Sequence, residues 1–224
     1  MSDKSRELYE TARYAEREDI AALLDAGADP NALIGPEGET ALHVAAAGSS
    51  AGAVELLLEN GADPWLKDDQ GRTPLHRAAE ARNVGTIGAL CEYDDRLANE
   101  KDSYGETPIV LAIDEKDAQA VAALLAGGAN ISDAIRYPEN LLQRAAGRGT
   151  GECIELLCDA GADPNELGTF GRPPLAYATN DEATEALLKK GADPEVLAAV
   201  ESNQLERVVE RAPEPVAETR RRRI

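Results

Sequence analysis

The chain has 224 residues and a formal net charge of −19, from 42 acidic and 23 basic side chains. So large an acidic excess disfavours plain binding of nucleic acid or of an anionic membrane, because both require a basic footprint. It favours a basic partner surface, or simple solubility. Apolar residues make up 43% of the chain, but there are only one Trp, one Phe and six Tyr, which suits thin helix-on-helix layers better than one thick core. Arg outnumbers Lys by 17 to 6, a bias compatible with a salt-adapted or a GC-rich proteome. Cys91, Cys153 and Cys158 form an odd set without a CxxC pair, each inside an apolar helical run. They read as buried small hydrophobes in a reducing cytosol rather than as metal or redox groups. The N-terminal MSDKSRELYE has no apolar signal core, and no apolar run approaches membrane-spanning length. The expectation is a soluble cytoplasmic protein.

In chain order, residues 8–31 read as a first helix pair, with Leu8, Ala12 and Ala15 on one face and Ile20, Leu23 and Leu24 on the next helix. Arg6, Arg13, Glu16 and Arg17 fall on its exposed side, as expected of a terminal unit that must show water one polar face. Gly27-Ala28-Asp29-Pro30 ends the pair: Gly supplies a left-handed C-terminal residue and Pro forbids continuation. Thr40 then caps a helix beginning Ala41-Leu42-His43. Thr73-Pro74-Leu75-His76 is the same start, with Pro in the first turn where a missing N–H costs nothing. Thr107-Pro108, Asn140-Leu141 and Pro173-Pro174 are further copies, and the five starts lie about 33 residues apart, a period that marks one repeat family. The Gly-Ala-Asp-Pro stop recurs at Gly61, Gly161 and Gly191, and without Pro at Gly128. In the third unit Tyr93-Asp94-Asp95-Arg96 replaces it, which predicts a distorted turn afterwards. Residues 131–139 depart from the usual turn. The sixth unit is about three residues short before Gly191, so its helices or their turn should be trimmed. Residues 196–210 read as a capping helix pair, and 213–224, PEPVAETRRRRI, as a disordered tail.

The T-P-L-H start, the Ala-Ala pair and the later G-A-D-P resemble the ankyrin repeat, closely over residues 40–64 and 73–90 and more loosely over about 5–210. The resemblance implies an all-α, ankyrin-type α-solenoid of helix-turn-helix repeats with β-hairpin-like fingers. It would comprise about six repeats and a partial C-terminal cap within residues 1–212. It also implies protein binding and no catalysis. In such units His43 and His76 would hydrogen-bond within the finger and to the adjoining repeat, a structural role shared with Thr40, Thr73 and Thr107. The absence of that His at Val110, Gln143 and Ala176 predicts weaker finger packing in the later repeats.

Gly147-Arg148-Gly149-Thr150-Gly151 imitates a phosphate loop but has no Lys and no preceding strand. The scattered carboxylates have no isolated apolar pocket that would tune them for acid–base work. The finger tips are more informative. Glu37, Gln70, Tyr104, Tyr137 and Phe170 occupy one position in successive fingers, so three aromatics project at equivalent points about 10 Å apart, the spacing of packed helices. Exposed aromatics are typical interface anchors. Trp65 is a further candidate that could instead pack on the next hairpin. Residues after the Ala-Ala pair face the groove in this family, and here they include Glu80, Asp114 and Glu115. With Asp68, Asp69, Asp102 and Glu106 on adjacent fingers they predict an acidic groove.

These readings converge on a monomeric protein-binding module that uses its concave groove and finger tips to hold a basic protein partner. No cofactor, metal, nucleic acid or membrane enters the reading. An inhibitor or immunity-type protein covering a basic enzyme site is one version. The alternative is a structural scaffold whose acidity serves solubility in high salt.

Overall fold

The computed structural model describes residues 3–14, 17–48, 51–132, 139–200 and 202. Expectations resting on Ala15, Glu16, Tyr137, Leu205, Val208, Val209 and residues 213–224 lie outside the described residues.

The described residues form helices and turns, with no strand among them. The helices come in pairs: α1 (Asp3–Thr11) with α2 (Arg17–Asp25), α3 (Ala41–Ala47) with α4 (Ala51–Glu59), and α5 (Pro74–Glu80) with α6 (Val84–Tyr93). Next come α7 (Pro108–Asp114) with α8 (Ala118–Ala126), and α9 (Leu141–Arg148) with α10 (Gly151–Asp159). In the sixth unit a 3-10 turn, Pro174–Tyr177, precedes α11 (Asp181–Lys189), and residues 194–200 are again helical. The first members pack side by side in the order α1, α3, α5, α7, α9, and the second members in the order α2, α4, α6, α8, α10, α11. Each pair is thus one layer of a solenoid, and the core is a continuous seam between two rows of helices. Leu42, Leu57, Leu75, Ile87, Leu90, Ile109, Ile113, Leu124 and Leu141 fill it at 2% exposure or less. Each buried Leu or Ile contributes about 1.5–3 kcal/mol. Ala45, Ala46, Ala78, Ala79, Ala112, Ala145 and Ala146 let the inner row approach closely, and all are at most 1% exposed.

The inner helices are only seven or eight residues long, too short to hold together on propensity alone. Side chains at their third position fasten them. The His43 ring Nδ1 accepts from the Thr40 N–H at 3.2 Å, and its Nε2 lies 3.0 Å from the Arg72 carbonyl of the next finger. His76 repeats this with the Thr73 N–H at 3.2 Å and the Glu106 carbonyl at 3.1 Å. Carbonyl oxygens only accept, so both rings carry their proton on Nε2. Weaker packing at Gln143 is not what the structure shows. Gln143 Oε1 accepts from Asn140 N–H at 3.0 Å and its Nε2 donates to the Arg172 carbonyl at 2.6 Å. An amide carries an acceptor and a donor on adjacent atoms, so it spans the same two groups as a neutral imidazole. Val110 has neither, and Ala176 lies in the 3-10 turn that replaces an inner helix.

Each described finger is closed by its own backbone: Asp68 N–H donates to Arg72 O, Asp102 N–H to Glu106 O and Gly168 N–H to Arg172 O. Neighbouring fingers are joined by Asp69 N–H to Glu37 O (2.8 Å) and Ser103 N–H to Gln70 O (2.9 Å). Gly71 sits at φ +74°, and a Cβ there would lie 2.7 Å from the Ser103 nitrogen. Both the left-handed backbone and the close approach of the next finger require glycine. The distortion expected after Tyr93 falls elsewhere. Asp94 caps a 3-10 turn, Asp95–Asn99, which absorbs the extra length, and the following finger keeps its ordinary Asp102–Glu106 pairing.

Burial lowers the pKa of His76 to about 4, outweighing the Glu106 carbonyl bond that would raise it. An unfolded His takes its proton near 6.5. The unfolded chain therefore binds more protons between those values, and stability is lost as pH falls through that window. His76→Ala should lower unfolding stability by about 1–3 kcal/mol, the cost of unpaired buried groups. His76→Gln should stay within about 1 kcal/mol of wild type at neutral pH. It should also weaken the pH dependence between about 6.5 and 4, measured by chemical denaturation across pH. An unchanged midpoint in the Ala variant would show that the ring fastens nothing.

Candidate binding faces and their charges

The concave side is made by the inner helices and the fingers, and here the carboxylates predicted to form an acidic groove are found. Glu80 accepts from Arg72 at 2.9 Å and from Arg77 at 3.2 Å. Arg77 also reaches Glu39 of the preceding unit at 2.9 Å, and Tyr9 donates to the other Glu39 oxygen at 2.9 Å. Asp114 is held by Arg144 and by Arg148, the latter at 2.8 Å. Arg144 reaches across to Glu106 at 3.1 Å, and Glu115 pairs with Arg82 at 2.9 Å. The acidic groove is therefore corrected to a charge-balanced one. Carboxylates and guanidinium groups alternate from unit to unit, because a solenoid brings residues about one repeat apart within reach of each other.

Asp68 and Asp102 are also corrected. They are buried, and their Oδ1 atoms accept backbone N–H groups inside their own fingers: Gln70 and Arg72 for Asp68, Tyr104 and Glu106 for Asp102. They shape fingers and present no charge to a partner. Asp69 is exposed beside Glu37. For Asp114, burial pushes the carboxyl up, but hydrogen bonds from Arg144 and Arg148 prevail and hold it below the usual range. For Glu106, burial prevails over Arg144 and raises it.

The finger tips differ among themselves. Tyr104 is 50% exposed and Phe170 64%, and Leu167 on the Phe170 finger is 49% exposed. Trp65 is not a free anchor. It is half-buried against the core, and the Arg96 guanidinium stacks over its ring at 5.4 Å. Thr40 and Thr73 cap α3 and α5 as members of capping boxes, while Thr107 stands at the N-cap of α7.

The glycine-rich loop at Gly147 is the turn between α9 and α10. Gly149 N–H is taken by the Ala145 carbonyl, and Gly151 N–H by Glu182 Oε1 at 3.0 Å. The chain's own carboxylate thus sits where an anion would. Burial raises the pKa of all three cysteines, Cys91 to about 11, which keeps these thiols protonated and unreactive. Among the described residues no cluster of His, Cys, Asp or Glu is arranged to hold a metal, and no helix is long and apolar enough to cross a membrane.

Sequence reasoning missed a second fastening. Asn31 Nδ2 donates to Gly61 O at 2.8 Å while its Oδ1 accepts from Asp63 N–H at 2.8 Å. Asn99 does the same to Gly128 and Asn130, and Asn165 to Gly191 and Asp193. The signal was present as Asn directly after Asp-Pro at positions 31 and 165. Its partners are a whole repeat away.

Against known proteins, the family model described as ankyrin repeats (three copies) matches residues 8–100 and 48–135. The chain belongs to the ankyrin-repeat family. The Notch protein of Drosophila melanogaster is 41% identical over 93 residues, 42% of this chain and 3% of that protein. Rabankyrin-5 of Mus musculus is 30% identical over 210 residues, 77% of this chain and 18% of its own length. Among solved structures, the ankyrin repeat domain of Bcl-3, described as a unique member of the IkappaB family, superposes with a TM-score of 0.71. It is 26% identical, with 81% of each chain covered. The chain thus spans less than a fifth of the length of the two curated relatives, and what is shared is the repeat domain. Ankyrin repeats are protein-interaction modules and typically not enzymes, which fits a surface built from paired charges and finger tips.

The ion-pair ladder gives a stability prediction. Arg144→Ala should cost about 1–3 kcal/mol, because two partly buried carboxylates lose a charged hydrogen-bond donor. The Asp114 share exists only while Asp114 is ionised. It should be fully present above about pH 3.9 and shrink as pH falls through the depressed value. Glu115→Ala, whose pair with Arg82 is exposed, should change stability by less than about 1 kcal/mol. Equal losses in urea titrations of the two variants would contradict this ranking.

Proposed function

We propose that this ankyrin-repeat chain is a non-catalytic binding domain that holds a partner protein on its finger tips and the adjoining concave face. The observation that carries this reading is the exposure of Tyr104, Phe170 and Leu167 on the finger side of a chain with very few aromatics. Large rings left in water on a rigid scaffold lose little entropy on binding and dominate interface energies.

The partner's surface is basic in this proposal, but the attraction is not local. The concave carboxylates are already paired with arginines, so a partner's cations would have to compete for them. The net charge of −19 acts instead through the long-range field, which steers encounter and weakens with salt. A second reading also has an observation in its favour. Acidic residues are numerous on the outer helices, as at Glu152, Glu155 and Asp159 of α10 and Asp181, Glu182 and Glu185 of α11. There they serve solubility. A chain whose acidity is a salt adaptation would need molar salt to fold, which a salt titration of stability separates from partner binding.

Capture from a lysate of the source organism, with wild type and a Tyr104→Ala/Phe170→Ala variant side by side, identifies the partner as the protein retained only by the former. Each ring's removal should then cost about 2 kcal/mol of binding, roughly thirty-fold in Kd. Folding stability should change by about 0.5 kcal/mol or less, as for surface positions. Equal retention by both proteins would remove the finger tips from the interface.

A further inference from the structure

The outer, convex row of helices carries one feature that finger-tip binding does not use. A cleft of about 450 Å³ opens between α6 and α8, lined by Val84, Gly88, Cys91, Ala123, Ala126 and Gly127, with Glu92 and Asp95 at one end. Two choices of sequence open it. The exposed positions of α8 are Gln119 and Ala126, flanked by half-exposed Ala122 and Ala123, and this helix has no charged residue at all. On α6 the facing position is Gly88, and a Cβ added there would meet nothing within 4 Å. The neighbouring outer helices show glutamates instead, Glu55 and Glu59 on α4 and Glu152 and Glu155 on α10. An apolar cleft whose charge is confined to one end, between acidic helices, is the pattern of an interface core with a polar rim.

The end of the cleft is negative for two independent reasons. Glu92 and Asp95 are exposed, and neither has an ion-pair partner among the described residues. The C-termini of α6 and α8 also meet there, at Tyr93 and Ala126, so the partial negative charges of two helix ends add to the carboxylates. By contrast the concave acids are paired, as are Glu55 and Glu59 with Arg17 and Glu155 with Lys189. The Cys91 thiol inside the cleft is buried and contributes apolar surface rather than a nucleophile.

We propose that this convex cleft is a second docking site, and that its occupant is a helical segment of a partner protein with small apolar residues on one face and Arg or Lys at one end. A helix suits the cleft because glycine and alanine walls let two backbones approach to helix-packing distance, 8–10 Å or somewhat less. The basic end suits it because the charged residues lining the cleft, Glu92 and Asp95, are negative and have no ion-pair partner among the described residues. The site is separate from the finger tips, so one chain can hold two segments at once.

The test uses the full chain and a labelled synthetic peptide of about three helical turns, with Ala and Leu on one face and Arg at its C-terminal end. Binding is followed by fluorescence anisotropy at low and at physiological salt. A scrambled peptide of the same composition reports adsorption driven by net charge alone. The ordered peptide should bind at least about tenfold tighter than the scrambled one, a 1.4 kcal/mol difference. Gly88→Leu, which fills the cleft and is compatible with a helix, should abolish that margin. Glu92→Lys with Asp95→Lys should weaken binding and flatten its salt dependence, and Tyr104→Ala with Phe170→Ala should leave it unchanged. Circular dichroism on each variant checks the fold. Equal binding of the two peptides, or full binding by Gly88→Leu, would overturn the proposal. So would peptide binding that appears only after truncation at Ala212, since the occupant would then be the chain's own arginine run at 220–223.

Discussion

The structure depends on one arrangement: a side chain at the third position of an inner helix that closes its own helix start and grips the carbonyl of the next finger. His43, His76 and Gln143 each do this. An inner helix of seven residues cannot sustain itself, and a finger closed by a few bonds over five residues cannot either. The staple joins the two weak elements across the repeat boundary inside a buried environment, where an unmade hydrogen bond would be costly. The asparagines at 31, 99 and 165 do the same at the other end of three units, tying the Gly stop of the next repeat to their own. Order therefore propagates from unit to unit, and no repeat is a folding unit by itself.

The same geometry disposes of charge. Residues about one repeat apart in sequence become neighbours in space, so the concave face is assembled from pairs such as Arg77 with Glu39 and Arg144 with Asp114. Side chains at the ends of these pairs are fixed in place, which keeps the face stiff. The acidic excess is left to the outer helices and finger tips, where water solvates it. Between those acidic helices, α8 carries no charge and α6 only Glu92, near its C-terminal end. In a chain with 29% charged residues, an outer helix with none leaves apolar surface exposed in one place.

Aromatic residues follow a comparable division. Trp65 and Phe170 both looked like anchors in the sequence, since both sit at the finger side of a repeat. Trp65 occupies the position where asparagine stands in other units, after the Asp-Pro stop, and it is drawn against the core under Arg96. Phe170 has no such neighbour and stays in water. The difference lies in what the next unit offers: after Trp65 the chain supplies a 3-10 turn with an arginine on it.

The sequence by itself determined the repeat, its period, the helix starts at Thr40, Thr73 and Thr107 and the glycine stops, because these are local signals whose partners lie within four residues. It also determined that His43 and His76 occupy equivalent places. Only the tertiary structure decided which charges are free. Asp114 read as an exposed acid because its arginine partners, Arg144 and Arg148, are about one repeat away, and no local pattern records such a pairing; Glu80 has Arg77 three residues away, but its second partner, Arg72, is eight away. Gln143 read as a lost histidine, since the sequence shows a change of residue type and not the two groups that an amide can still span. The cleft between α6 and α8 was invisible for the same reason. Glycine and alanine in one helix are unremarkable, and they make a cavity only when the solenoid sets a second such helix beside it.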